Sequence, residues 1–185
     1  MTARFDTIRT NRLLMRRWQD ADREPFAALN ADRVTMQYFP ATLDRAASDA
    51  MVEVIESRFE LRGYGLWALE VLDTGQFIGF TGLNQIPDGV PGGPGTEIGW
   101  RLARHAWHQG YATEAATAAL DVAFNRVGLP EIWSFTSVLN EPSQAVMRRI
   151  GLIESFRFEH PRILPGDPLR PHVMYHRANA APEAH

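Results

Sequence analysis

The run Glu97-Ile98-Gly99-Trp100-Arg101-Leu102-Ala103-Arg104-His105-Ala106-Trp107-His108-Gln109-Gly110-Tyr111-Ala112-Thr113-Glu114-Ala115 passes from an extended pattern through a short polar turn into a helix start. Thr96 to Leu102 reads as a strand, and its alternation puts Glu97, Gly99 and Arg101 on one face. From Thr113 the period becomes helical, with Ala116, Ala119, Leu120, Ala123, Phe124 and Val127 on one stripe that ends at Gly128 and Pro130. A strand, a short loop and a helix in that order turn several backbone N–H groups toward one point, which suits a phosphate or pyrophosphate. Gly110 lets an anion approach the backbone closely, or simply closes a tight strand-to-helix turn. Neither Gly-x-x-x-x-Gly-Lys-Ser/Thr nor a Gly-x-Gly-x-x-Gly between strand and helix occurs, so a nucleoside triphosphate loop and a dinucleotide loop are both disfavoured.

Outward from that segment the chain alternates between the two periods. A short strand at Leu13 to Arg17 leads, past the cap candidate Asp20, to a helix carrying Phe26 and Leu29. A second helix spans roughly Arg45 to Arg62, with Met51, Val54, Ile55 and Phe59 expected on its buried face. Tyr64 to Leu72 and Gln76 to Leu83 flank Asp73-Thr74-Gly75 and read as a hairpin. The segment from Asp88 to Gly95 is almost all turn residues and is expected to be a mobile loop with nothing to pack. Beyond the central helix come a strand at Ile132 to Val138, a helix from Pro142 to Ile150 capped by Asn140 and stopped by Gly151, and strands near Ile153 to His160 and His172 to Arg177. No repeat or linker divides the chain. The expectation is one mixed α/β domain of the α+β type over residues 1–178, with 179–185 as a polar tail.

Composition narrows the chemistry. The 185 residues, 45% hydrophobic, are enough for one sizeable core. Lys plus Arg total 19 against 22 acidic residues, a net charge of -3 that gives no reason to expect nucleic acid or an anionic membrane as partner. With no cysteine, a disulfide scaffold, a thiolate metal site and a cysteine nucleophile are excluded. The opening Met1-Thr2-Ala3-Arg4-Phe5-Asp6 lacks the apolar run of a signal peptide, and no stretch approaches the roughly 18 apolar residues of a membrane span, so a cytoplasmic location is expected.

The central run resembles the coenzyme A signature of GNAT acetyltransferases, particularly the branch that includes ribosomal-protein N-terminal acetyltransferases. That branch has Glu-Ile-Gly-aromatic followed by Trp-Gly-x-Gly-Tyr-Ala-Thr-Glu-Ala; here the matching residues are Glu97 to Trp100 and Trp107 to Ala115. His108 stands where the branch commonly has Gly, and Trp107 where the wider superfamily has Gln or Arg. A second match covers Asn140-Glu141-Pro142-Ser143 and Met147 to Leu152, and the resemblance extends from about Thr10 to Arg177. It implies a central, mostly antiparallel, splayed sheet flanked by helices. The implied cosubstrate is acetyl-CoA, without a metal, held by Trp100, Leu102, Trp107, His108, Gln109, Gly110, Tyr111, Ala112, Thr113, Asn140 and Ser143. The implied reaction is direct attack of an amine acceptor on the thioester, with backbone N–H groups holding the oxyanion. Neither the acceptor nor the oligomeric state, a homodimer included, is specified.

Each candidate residue has a plainer reading. Ser143 would help the thiolate leave, or is a second hydroxyl at a helix end. Asn140 is first a helix cap. Glu97 would serve as base if burial raised its pKa, or is a surface ion-pair partner, with Glu70 as its rival. Glu114 stabilises its helix end by its charge, Tyr111 packs helix on sheet, and Trp67, Trp100 and Trp133 belong to the core. His105 and His108 straddle a loop, and His172 and His176 share a strand face, without a third ligand. Two other functions fit the same residues: a coenzyme A-binding module without catalysis, and a metalloprotein built on the histidines.

Overall fold

A computed structural model describes residues 4–179. Eight strands and four helices alternate: β1 Thr7–Arg9, β2 Leu13–Arg16, α1 Arg23–Ala31, α2 Arg45–Arg62, β3 Leu66–Val71, β4 Phe77–Gln85, β5 Thr96–Leu102, α3 Tyr111–Asp121, β6 Glu131–Ser137, α4 Glu141–Arg149, β7 Ile153–Glu159 and β8 Pro171–Ala178. They build one sheet in the order β1-β2-β3-β4-β5-β6-β8-β7. Every neighbouring pair is antiparallel except β5 with β6, which is parallel and registers at one place, Glu97 opposite Trp133. The sheet is therefore mostly antiparallel and splayed at its centre.

Local chemistry sets the element ends. Asp44 accepts from the Ala47 N–H at 2.8 Å to start α2, and Asn140 accepts from the Ser143 N–H at 3.2 Å to start α4. The alanines Ala115, Ala116, Ala119 and Ala123 are completely buried, which lets α3 lie close on β4 and β5. Past Asp121 the helix widens into π turns from Val122 to Val127 before Gly128. Trp67, Phe26, Phe59, Leu13 and Met15 fill the main core, where Trp18 and Phe26 meet edge to face at 4.7 Å.

The structure departs from the sequence reading in five places. Asp20 does not cap the first helix, because a 3-10 turn places Asp22 at that helix start and the Asp20 carboxylate accepts from Arg23 Nε. An extra edge strand, β1, precedes Leu13; three residues carry too little periodicity to announce a strand. On α2 the buried positions are Ser48, Val52, Ile55 and Phe59, whereas Val54 is 48% exposed, because the helix turns its Ile55–Phe59 edge inward. Val90, within the loop expected to pack nothing, is 4% exposed and forms a small core with Ile86 and Met174. Asn179, assigned to the tail, donates to the carbonyls of Phe124 and Leu129. The rest of that tail, 180–185, lies outside the described residues, and among those described no helix is long and apolar enough to cross a membrane.

The placement of α2 is checked by paired truncations. Ile55→Ala should lower unfolding free energy by about 2–5 kcal/mol, as removal of a core side chain does, and Val54→Ala should change it by no more than about 0.5 kcal/mol. Denaturant titrations of both variants would expose a wrong helix rotation as equal or reversed losses.

Candidate active site

β5 leads directly into the loop singled out by the sequence. After Leu102 a 3-10 turn, Arg104–Ala106, is followed by Trp107, His108, Gln109 and Gly110. Trp107 Nε1 donates to the Leu102 carbonyl at 2.7 Å, and Gln109 Nε2 to that of His105 at 2.7 Å, so both side chains brace the loop. His108 has φ of 60° and Gly110 a φ of 81°, both left-handed. His is among the non-glycine residues that enter this region most readily, which is how a side chain is accommodated at a left-handed position. No side chain caps α3, which leaves the N–H groups of its first turn free to meet an anion.

Around that helix end His108, Gly110, Thr113, Glu114 and Arg149 line a shallow hollow. Arg149 comes from the last turn of α4, and its place beside this loop was not legible in the sequence because nothing local links it to a segment so far away. Glu114 is not a free charge. Burial opposes its ionisation, but the Thr10 hydroxyl at 2.7 Å, the Arg12 N–H at 2.9 Å and the Arg12 guanidinium hold its carboxyl below the ordinary range. Arg12 also donates to the Gln109 carbonyl at 2.9 Å and lies 4.6 Å over the Tyr111 ring, tying the β1–β2 turn to the loop. A Cβ on Gly110 would lie 3.4 Å from Arg12 Nη2.

Trp100 and Leu102, by alternation, face away from Glu97 on β5; Leu102 is buried and Trp100 packs on the core. Beyond the Glu97–Trp133 register β5 and β6 part, and the Ser134 hydroxyl donates across to the Ile98 carbonyl at 2.8 Å. Glu97 thus stands at the apex of the gap. Its Oε1 accepts from Asn84 Nδ2 at 3.0 Å, and Arg58 of α2 in turn donates to Asn84 Oδ1. Burial outweighs that hydrogen bond and the more distant Arg58 charge, and the carboxyl is pushed up to about 7. Ser143 lies in the first turn of α4, which follows β6 on the other side of the gap; its hydroxyl has no hydrogen bond among the described residues, while its N–H goes to the Asn140 cap.

The remaining candidates separate from this group. Glu70 accepts from Arg16 Nε at 2.8 Å, and Arg16 also grips Asp22 with two nitrogens. A carboxylate so engaged belongs to a structural ion-pair network. Trp67 is fully buried, and Trp133 stacks on His176 at 4.1 Å. His176 meets Glu131 at 3.1 Å, and His172 packs on His160 at 4.7 Å. Among the described residues no group of three His, Asp or Glu converges on a metal position.

A folded pKa near 7 against an unfolded 4.5 makes Glu97 a pH-dependent liability. Both states are protonated below pH about 4.5; between there and about 7 the unfolded state alone loses its proton, so stability falls and stays lower above 7. Glu97→Gln should therefore be more stable than the parent above pH 7, by on the order of 3 kcal/mol, with the two curves converging below pH about 4.5. Parallel stability curves across this range would show that Glu97 ionises normally.

The GNAT acetyltransferase domain matches residues 12–153 of this chain. YkkB of Bacillus subtilis is 31% identical over 144 residues, 77% of this chain and 83% of its own. An acetyltransferase from Agrobacterium tumefaciens superposes with a TM-score of 0.76 at 28% identity, covering 96% of each chain. RimL, a ribosomal L7/L12 alpha-N-protein acetyltransferase in complex with coenzyme A, shares the fold at 18% identity, with a TM-score of 0.74 over 93% of this chain and 97% of its own. With a splayed sheet, an uncapped helix behind it and a domain match over most of its length, the chain belongs to the GNAT acetyltransferase family.

Proposed function

We propose that this protein transfers an acetyl group from acetyl-CoA to a primary amine by direct attack, in a single-domain enzyme. The observation that carries the reading is the placement of Glu97, a carboxyl with a pKa near 7, at the point where β5 and β6 part. An amine with a pKa near 10 is almost wholly protonated at neutral pH, and a base of pKa near 7 is matched to removing its proton. The free N–H groups at the start of α3, with Arg149 beside them, suit the cosubstrate's pyrophosphate, and family membership implies acetyl-CoA as donor.

In the reaction a C–N bond forms as the C–S bond breaks. Glu97 takes the amine's proton, directly or through one water, and Ser143 gives a proton or hydrogen bond to the departing sulfur and is replenished from solvent. Asn140 acts as a cap that positions Ser143. Trp107 and Gln109 brace the loop, and Arg12 locks it to the β1–β2 turn.

The test is acetyl-CoA-dependent thiol release over a chemically diverse amine panel. The chain has no lysine, so self-acetylation of side chains cannot mimic turnover. Coenzyme A binding without thiol release for any amine would identify a non-catalytic binding module instead. With an accepted amine, Ser143→Ala should lower kcat by about tenfold to a thousandfold with little change in acetyl-CoA affinity. Glu97→Gln should remove the inflection near pH 7 from the rate profile; an unaltered profile would eliminate Glu97 as base. For the loop, Gly110→Ala should weaken coenzyme A binding by about tenfold or more, since a side chain at this left-handed position distorts the anion site. Calorimetry that finds unchanged affinity in the folded variant would place the pyrophosphate elsewhere.

A further inference from the structure

Four residues beyond Glu97, on the same face of β5, lies a cation without a counter-charge among the described residues. Arg101 donates from Nη1 to Asn30 Oδ1 at 2.6 Å, and the Asn30 amide is held in that orientation by its own donation to Ser48 Oγ at 2.7 Å. The guanidinium carbon lies 4.3 Å over the Phe39 ring and 5.5 Å from Phe80. Nε is sealed from solvent without a partner, and burial unrelieved by any acid pulls Arg101 down to about 10. The interior Arg16 is the contrast: Asp22 takes two of its nitrogens and Glu70 the third. A half-buried guanidinium with a sealed, unpartnered Nε and no carboxylate is unfavourable unless something else completes it.

The floor between Glu97 and Arg101 is open. Gly99 lies midway on the same face, and a side chain there would meet nothing within 4 Å. Asn84 and Phe80, opposite Glu97 and Arg101 on β4, continue the same face of the sheet beside them. At about 3.3 Å per residue the two ends are separated by about 13 Å of strand.

We propose that Arg101 recognises a carboxylate of the acceptor, which is an extended molecule with its primary amine at Glu97 and its acid on the order of 10 Å away over Gly99. This rests on the assignment of the amine to Glu97 made above. After Asn30 is served, Arg101 retains Nε and Nη2, the side-on fork that matches the two oxygens of a carboxylate. Phe39, 37% exposed on the connection between α1 and α2, lies over the guanidinium, and the entering acid displaces it. The acid is supplied either by an acidic side chain near a peptide N-terminus or by a free linear amino acid.

The experiment compares acids with their own amides. Acetyl transfer is measured for ω-amino carboxylic acids of increasing length, for tripeptides ending in Glu, and for the corresponding amides. The wild-type protein should favour each matched acid over its amide by about tenfold to a hundredfold in kcat/KM, through KM, as charge-assisted pairing does. In Arg101→Gln the ratio should fall to near one, and Arg101→Lys should keep part of it. Preference for the peptides or for the free amino acids identifies the source of the carboxylate. Equal kcat/KM for acid and amide in the wild-type protein overturns the proposal, and that comparison needs no variant. Should none of these amines be acetylated, it is the proposed reaction that is called into question. Titration of the acids and amides into coenzyme A-loaded protein still decides Arg101: acid-selective binding lost in Arg101→Gln sustains the role, and binding indifferent to the carboxylate removes it.

Discussion

The single parallel contact between β5 and β6 governs the rest of the molecule. Each strand is fully engaged on its outer edge, β5 along β4 from Thr96 to Leu102 and β6 along β8 from Glu131 to Ser137, but they register with each other only at Glu97 and Trp133. Two half-sheets that twist independently cannot stay in register once they part. The gap exposes backbone N–H and C=O groups that a continuous sheet would pair, and the Ser134 hydroxyl on the Ile98 carbonyl answers only one of them. Such an opening suits a ligand that brings amides of its own, as the arm of coenzyme A does. Glu97 lies where pairing ends, so its burial and the opening of the cleft arise from one feature.

Charges divide into two populations. Arg16 with Asp22 and Glu70, Arg17 with Glu56 and Glu60, and Arg12 with Glu114 form interlocked pairs that join β2 to α2, β3 and α3. Their geometry is satisfied within the chain, and they read as architecture. Glu97 and Arg101 differ in kind: each is half-buried, each has amide partners, and neither has an opposite charge in direct contact among the described residues. Groups left in that condition are what separates a candidate functional site from a structural ion-pair network.

The loop before α3 shows how a departure from a family pattern is absorbed. Adopting the left-handed region costs a β-carbon-bearing residue about 1–2 kcal/mol, yet the loop around His108 is held by Trp107 and Gln109 from within and by Arg12 from outside. The backbone geometry is over-determined, so His108 can occupy a position suited to glycine. Its side chain then faces the hollow shared with Arg149.

Much of this was written locally. The strand from Thr96 to Leu102, the cap Asn140, the turn at Gly110 and the alanine stripe of α3 follow from periodicity and capping chemistry, which act within a few residues. The short β1, the inward edge of α2 and the packing of Val90 were not legible, because weak local patterns were decided by distant surfaces that had to be covered. The same limit applied to the site. Sequence alone nominated Glu97, Ser143 and the loop, but whether Glu97 was a paired surface acid or a carboxyl raised by burial depended on how β4 and α2 close over it, with Asn84 and Arg58, 13 and 39 positions away, only partly offsetting that burial. Arg149 beside the α3 terminus and the unpaired Arg101 beneath Phe39 are likewise products of tertiary packing, since burial and charge balance are set by every element that meets at a point and by no one segment of the chain.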